Sequence, residues 1–460
     1  MKETIQRKRL FLLVCLILGF TLAVQAAQAS TVVVGTCLTT FPQFTTIGAA
    51  VTSVPSGSVI YVCPATYPEQ VVITKKLSII GVLSGTSQAP IVVPPATGLA
   101  QNGTDIFGNP VAAQIFVASP GGAVTIERLT VDGTGNNAAG CGGPTLEGIY
   151  YQGTSGTITQ NAVRNQYQTD FASFGGCQNG LAINVESLTS SAVVNVSYNS
   201  VRAYQKNGIT ATGAGTGDGS AGPVVTISSN VITGLGATGL NWQTPGAAEN
   251  GIQVGFGASG KVLNNIVNDN LWAPDTVTDP GDAASGILIF ASKGITVSGN
   301  VVGSAQFGIA ASTDSVGFCN NGSGAISCGT ADNAVIISNR ITGTQIFDAI
   351  DVCSNGNSVQ SNTIYGSSES AIHLDDSCTN ATLGTTSGNS NSVSKNGINE
   401  ACAGVLTGTG GGNTITLGTT FNVSATTLSG DTCTLGVGAR INPGALAKRR
   451  RPAPFIPSRR

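Results

Sequence analysis

Apolar residues in this chain fall in short bursts that alternate with polar ones, and the bursts are closed by Gly, Asn, Ser or Pro. A period of two marks half-buried strands, and nowhere after the first 29 residues does an unbroken apolar run reach the ~18 positions of a membrane helix. One phrase, V/I-x-x-N-x-V/I, recurs as ITQNAV, VSYNSV, ISSNVI, VLNNIV, VSGNVV, IISNRI, VQSNTI and VSKNGI. Its asparagines are Asn161, Asn199, Asn230, Asn265, Asn300, Asn339, Asn362 and Asn396, at intervals of 38, 31, 35, 35, 39, 23 and 34 residues. The shortest interval has room for three short strands and three turns; the longer ones add loops. A second phrase (NGITA, FGIAAS, DAIDVC, SAIHLDD) sets a small residue before an inward Ile and then alternates.

A unit this short cannot bury its own apolar face, so the units must stack, each strand pairing in parallel with its counterpart in the next coil. An Asn at the same bend of each coil can then hydrogen-bond to its neighbours at the ~4.8 Å strand spacing. Over most of residues 40–430 the chain resembles the pectin-lyase-like superfamily. The resemblance implies an all-β fold, a single-stranded right-handed parallel β-helix. The entry segment, FTTIGAAVTSVPSGSVIYVCPATYPEQVVITKKLSIIGV, is similar to that of pectin methylesterase-like proteins, with Ala65–Glu69 approximating their GxYxE. In it Ile47, Ala50, Val51 and Val54 share one face of a short N-terminal capping helix begun near Thr45 or Thr46. The superfamily contains lyases, hydrolases, esterases, epimerases and non-catalytic rods, so the resemblance implies a fold and not a reaction.

Composition agrees with this picture. Charged residues are 10% and Gly numbers 62 of 460, a balance suited to strands and tight turns. Lys2, Arg7, Lys8 and Arg9, the apolar run Leu10–Val24 and Ala27-Gln28-Ala29 read as an export signal over residues 1–29. The β-helix domain is expected over 30–445, with caps near 37–58 and 398–445, and a basic, Pro-rich, disordered tail over 446–460. Export makes the ten cysteines outside the signal candidates for bridges. Neighbour pairing gives Cys37 with Cys63, Cys141 with Cys177, Cys319 with Cys328, Cys353 with Cys378, and Cys402 with Cys433.

Setting aside four basic and one acidic residue of the signal and six basic residues of the tail, the body keeps 11 basic and 22 acidic side chains. Such a body repels nucleic acid. No metal or cofactor is expected from the single histidine and the dispersed cysteines. Asp275, Asp279 and Asp282, in one inserted loop with Trp272, are oxygen ligands of the kind calcium takes, without matching a calcium-loop spacing.

Aligning the second phrase predicts outward ladders. One runs Tyr150, Thr210, Gln253, Leu288, Ala310, Asp351, His373; its neighbour runs Gln152, Gly255, Phe290, Ser312, Cys353, Asp375. Asp351 and His373 are thereby stacked about one strand spacing (~5 Å) apart, with Asp375 and Asp376 following. An imidazole among carboxylates suits general acid–base work, so Asp351, His373, Asp375 and Asp376 are the candidate catalytic residues. Tyr150, Gln152, Gln253, Trp272 and Phe290 are the candidate polysaccharide contacts, Tyr150 and Trp272 by stacking on sugar rings. Of the polygalacturonase-type motifs only the Asp375-Asp376 pair is present. The other reading is a non-catalytic surface or adhesion rod, with Asp351 and His373 a cross-strand pair.

Overall fold

The computed structural model describes residues 28–429 apart from 84–88, 139, 170–176, 178, 216–221, 237–248, 272–283, 314–318, 321–324, 327–328, 345–346, 368, 375–378, 381–384, 387–390, 400–402, 408–412 and 417–424. It is an all-β parallel β-helix. Three long sheets of 14, 11 and 13 strands run its length, and each takes every third strand or so of the chain. Within these three sheets the pairing among described residues is parallel except at the short strand Gly103–Thr104, which pairs antiparallel with the start of Pro110–Val117. Two separate two-stranded sheets, Cys319–Asn320 with Ala325–Ile326 and Thr379–Asn380 with Thr385–Thr386, are also antiparallel. Inward Val and Ile from all three sheets merge into one continuous core from Val32 to Val405.

Both sequence phrases have physical explanations in this coil. The eight motif asparagines form one buried ladder: Asn199 N donates to Asn230 Oδ1 at 2.9 Å, and Asn230 N to Asn265 Oδ1 at 2.9 Å. Each Nδ2 from Asn161 to Asn362 also reaches the next Asn Oδ1, as Asn265 does to Asn300 at 2.9 Å. The residue before each Asn turns the chain from the first sheet to the second with a left-handed φ, as at Tyr198 (57°), Ser229 (57°) and Ser338 (58°). The small residue of the second phrase sits where the chain enters the third sheet. A Cβ on Gly148 or Gly208 would lie 2.8 Å from Val163 or Ile232 of the second sheet, so the core leaves no room for one.

At the N-terminus the helix Ile47–Ser53 is capped by Thr46, whose side chain accepts from Ala49 N, and it buries Ile47, Ala50 and Val51. Glu69 accepts from Ile47 N and Gly48 N at 2.8 Å each. The Glu of the entry segment thus serves the cap. One strand not anticipated from sequence, Thr31–Val34, pairs with Ser58–Val62 ahead of the cap. At the other end, Ala403–Thr407 and Ala425–Ser429 extend the third sheet into the stretch read as a terminal cap.

Two of the five expected disulfides are present, Cys37–Cys63 and Cys141–Cys177, with Cα–Cα distances of 5.7 and 5.0 Å. Cys353 is disulfide-bonded as well. Cys328, Cys378, Cys402 and Cys433 lie outside the described residues, as do residues 1–27 and the basic tail. Among the described residues no helix is long and apolar enough to cross a membrane.

Candidate functional site

The third sheet aligns the expected ladders, with rungs that the sequence phrase did not pick up. In register run Tyr150, Asn184, Thr210, Gln253, Leu288, Ala310, Asp351 and His373. Glu186 stands between Gln152 and Thr212 in the neighbouring column. A third outward column, two residues before each inward Ile, includes Glu147, Asn207, Asn250, Phe307 and Asp348. It points outward because the chain bends at the following small residue.

Asp348 completes a cluster with the two predicted residues. His373 Nδ1 lies 3.1 Å from Asp348 Oδ2 and 3.5 Å from Asp351 Oδ1. Asp348 Oδ1 accepts from Ser370 N at 2.8 Å, which fixes the carboxylate against the next rung. Relative exposures are 2% for Asp348, 7% for Asp351 and 8% for His373. Among the described residues this is the one group of three His, Cys, Asp or Glu whose ligand atoms all lie within 4.8 Å of one another. Nδ1 faces both carboxylates, and the same three groups are a donor set of the kind a metal ion takes. Asp375 and Asp376 lie outside the described residues.

The outward positions are more buried than a bare solenoid face would be. Tyr150 is expected from sequence as an exposed platform, yet it is fully buried, its ring stacked on Phe116 at 5.2 Å. With Val111 and Ala113 these rings form an apolar cluster on the outer side of the sheet. Phe307 and Phe347, stacked at 4.7 Å, belong to a second such cluster with Ala310 and Leu288. Gln152 Nε2 donates to Thr104 O at 2.7 Å, holding a loop over the face. Gln253 Oε1 accepts from Asn207 and Asn250 Nδ2 at 3.2 Å each, within a buried amide network. Phe290 packs edge-on against Phe256 at 5.3 Å and remains partly exposed. Trp272, Asp275, Asp279 and Asp282 lie outside the described residues.

Sequence reasoning missed Asp348, Glu147, Asn184 and Glu186. The available signal was an acid two positions before the inward Ile, shared by Glu147 before Ile149 and Asp348 before Ile350. A cleft of about 600 Å³ beside the N-terminal helix is lined by Phe44, Tyr67 and Glu69, but its acid is taken up in capping that helix.

No family model matches the chain, and no curated protein does. Among solved structures it is similar to the catalytic unit of an α-1,3-glucanase from Streptomyces thermodiastaticus, at 11% identity and a TM-score of 0.47, over 81% of this chain and 59% of that one. It is similar to DFA-IIIase from Arthrobacter chlorophenolicus, at 14% identity and a TM-score of 0.43, over 87% and 86% of the two chains. A Paenibacillus alginate lyase gives 12% identity and a TM-score of 0.34, over 87% and 98%. These are likenesses of fold alone, and the chain spans 59% of the length of the glucanase unit.

Proposed function

We propose that the protein is an exported β-helix that engages a polysaccharide along the outer face of the third sheet, with acid–base chemistry at Asp348, Asp351 and His373. The observation that carries this reading is the convergence of three buried titratable groups, including the chain's only histidine, on outward columns of two adjacent rungs. Burying such groups costs free energy that an apolar pair would not. An imidazole held by carboxylates is oriented to give or take a proton. Asp375 and Asp376, two and three positions further along the chain, are part of the same proposal.

The test is a panel of glycans scored for new reducing ends, unsaturated products and released methanol. On the substrate that is turned over, His373→Ala and Asp351→Asn should each lower the rate by about 10²-fold or more per folded molecule. Full activity in both variants, or no turnover of any glycan by the parent, would remove the catalytic assignment.

One observation favours the second reading, a non-catalytic rod. Asp348 already bonds the Ser370 backbone amide, so the cluster also has a structural use. On that reading His373→Ala lowers the melting temperature while no glycan is turned over.

A further inference from the structure

Five rungs from Asp351, about 24 Å at ~4.8 Å per rung, the same outward columns carry a second acidic group. Asn184 Nδ2 donates to Glu147 Oε1 and Glu186 Oε1, each at 3.0 Å, so these two oxygens are no more than about 6 Å apart. Glu186 Oε2 accepts from Tyr150 OH at 2.7 Å and from Ile106 N at 3.2 Å. Asp105 adds a third negative charge nearby, though its own carboxylate is turned into its loop, onto Phe107 N and onto Asn109 N and Nδ2. Among the described residues no basic side chain acts on Glu147, Glu186 or Tyr150. Burial, followed by the charge of Glu186, pushes the Glu147 carboxyl well above the usual carboxylate range, and burial likewise raises Glu186.

The hydrogen bonds of this group do not close. Glu147 Oε2 and Asn184 Oδ1 are buried without a partner, and Thr210 Oγ1 on the next rung is in the same state. Glu147 Oε2 and Asn184 Oδ1 are acceptors without a donor or positive charge beside them, while the Thr210 hydroxyl can give or take a hydrogen bond. A cation beside Glu147 Oε2 answers both the paired negative charge of Glu147 and Glu186 and the empty oxygen. A cleft of about 320 Å³, lined by Asp105, Ile106, Gln152, Ser187 and Thr189, adjoins Glu186 and gives water a way in.

We propose that Glu147, Asn184 and Glu186 hold a hard, oxygen-seeking divalent cation of the calcium type beneath the 103–109 loop, with water from the cleft completing its shell. An all-oxygen donor set with two carboxylates selects calcium over zinc, which prefers nitrogen and sulfur. The bound ion pins the loop through Ile106 to the outer face of the third sheet. This site stands apart from the His373 cluster and does not depend on that cluster being catalytic.

The test uses the full chain, freed of metal by a chelator and titrated with calcium and with terbium. Calcium should bind saturably and raise the melting temperature by several degrees, and terbium should show tyrosine-sensitised emission, from Tyr150, that calcium displaces. Glu186→Gln and Glu147→Gln should each weaken binding about tenfold or more, while Asp351→Asn leaves it unchanged. Should either variant fail to fold, the other carries the test, since Gln keeps the shape of Glu at both positions. No saturable binding of either ion overturns the proposal, as does binding that survives both Gln variants or is lost in Asp351→Asn.

Discussion

At single residues, the clearest bargain is between backbone strain and side-chain hydrogen bonding. Seven of the eight residues before the ladder asparagines are not glycine and still take a left-handed φ, a conformation costing roughly 1–2 kcal/mol for an L residue. The Asn that follows offsets this by satisfying the buried amide of the rung before it. Asn265→Ala would leave Asn230 N without its acceptor and should destabilise by about 1–3 kcal/mol in a denaturant melt. Asn195→Ala, at an exposed position, should stay within about 0.5 kcal/mol. Equal losses at both positions would remove the ladder's special standing.

Asp132 supplies a pH-dependent counterpart. Burial would raise its pKa, but hydrogen bonds from Thr134, Asn165 and Arg164 outweigh that and hold it below its ordinary value of 3.8. A depressed folded pKa stabilises above the unfolded value and ceases to do so as pH falls through the folded one. Asp132→Asn should therefore cost about 1 kcal/mol near pH 7 and nothing once pH is well below 3.8; a cost that is the same at both pH values would refute this. The ladder asparagines were legible in the sequence because they recur. Asn357, Asn391 and Asn413, which form a second ladder, were not, because earlier rungs place other residues at that corner. Glu147, Glu186 and Asp348 were missed for a related reason: an outward polar position has no core to impose a period on it, and the acid two positions before the inward Ile recurs only at Glu147 and Asp348.

Among elements, the order of strands was legible wherever alternation and turn residues coincided, and the helix Ile47–Ser53 was legible from its apolar face and Thr46 cap. The strand Thr31–Val34 was hidden by its nearness to the expected cleavage site. The exposure of the outer face was misjudged because loops and aromatic clusters that cover it come from distant segments, which local patterning does not report. The small residue at the entry to the third sheet carries a sharp prediction. A Cβ at Gly251 would strike Val267 of the second sheet and come within 2.6 Å of Gly286 O. The φ of Gly251 is not in the left-handed region, so Gly251→Ala tests space alone. Overpacking of this kind should cost about 1–3 kcal/mol, read as a lower denaturation midpoint. An unchanged midpoint would mean that the two sheets can move apart at little cost.

Over the whole molecule, the strands of the three long sheets pair in parallel only with their counterparts on adjacent rungs, yet the apolar core and the asparagine ladder run through the coils without a break. A stack of this kind is close to one-dimensional, its cooperativity carried by the interfaces between rungs. Strong uniform interfaces make the parent unfold as one unit, and a weakened central interface should let the two ends separate. Ile287 is fully buried and stacks between Ile252 and Ile309 near the middle of the third sheet. Ile287→Ala should cost about 2–5 kcal/mol through the cavity it leaves. It should also split thermal unfolding into two transitions, with amide exchange speeding up on one side of the lesion before the other. Ile60→Ala, near the N-terminal end of the first sheet, removes the same side chain from a terminal rung and should fray that end while leaving one main transition. A single transition in both variants, with exchange accelerated evenly along the chain, would show that coupling extends well beyond neighbouring rungs and that the molecule behaves as one globular core.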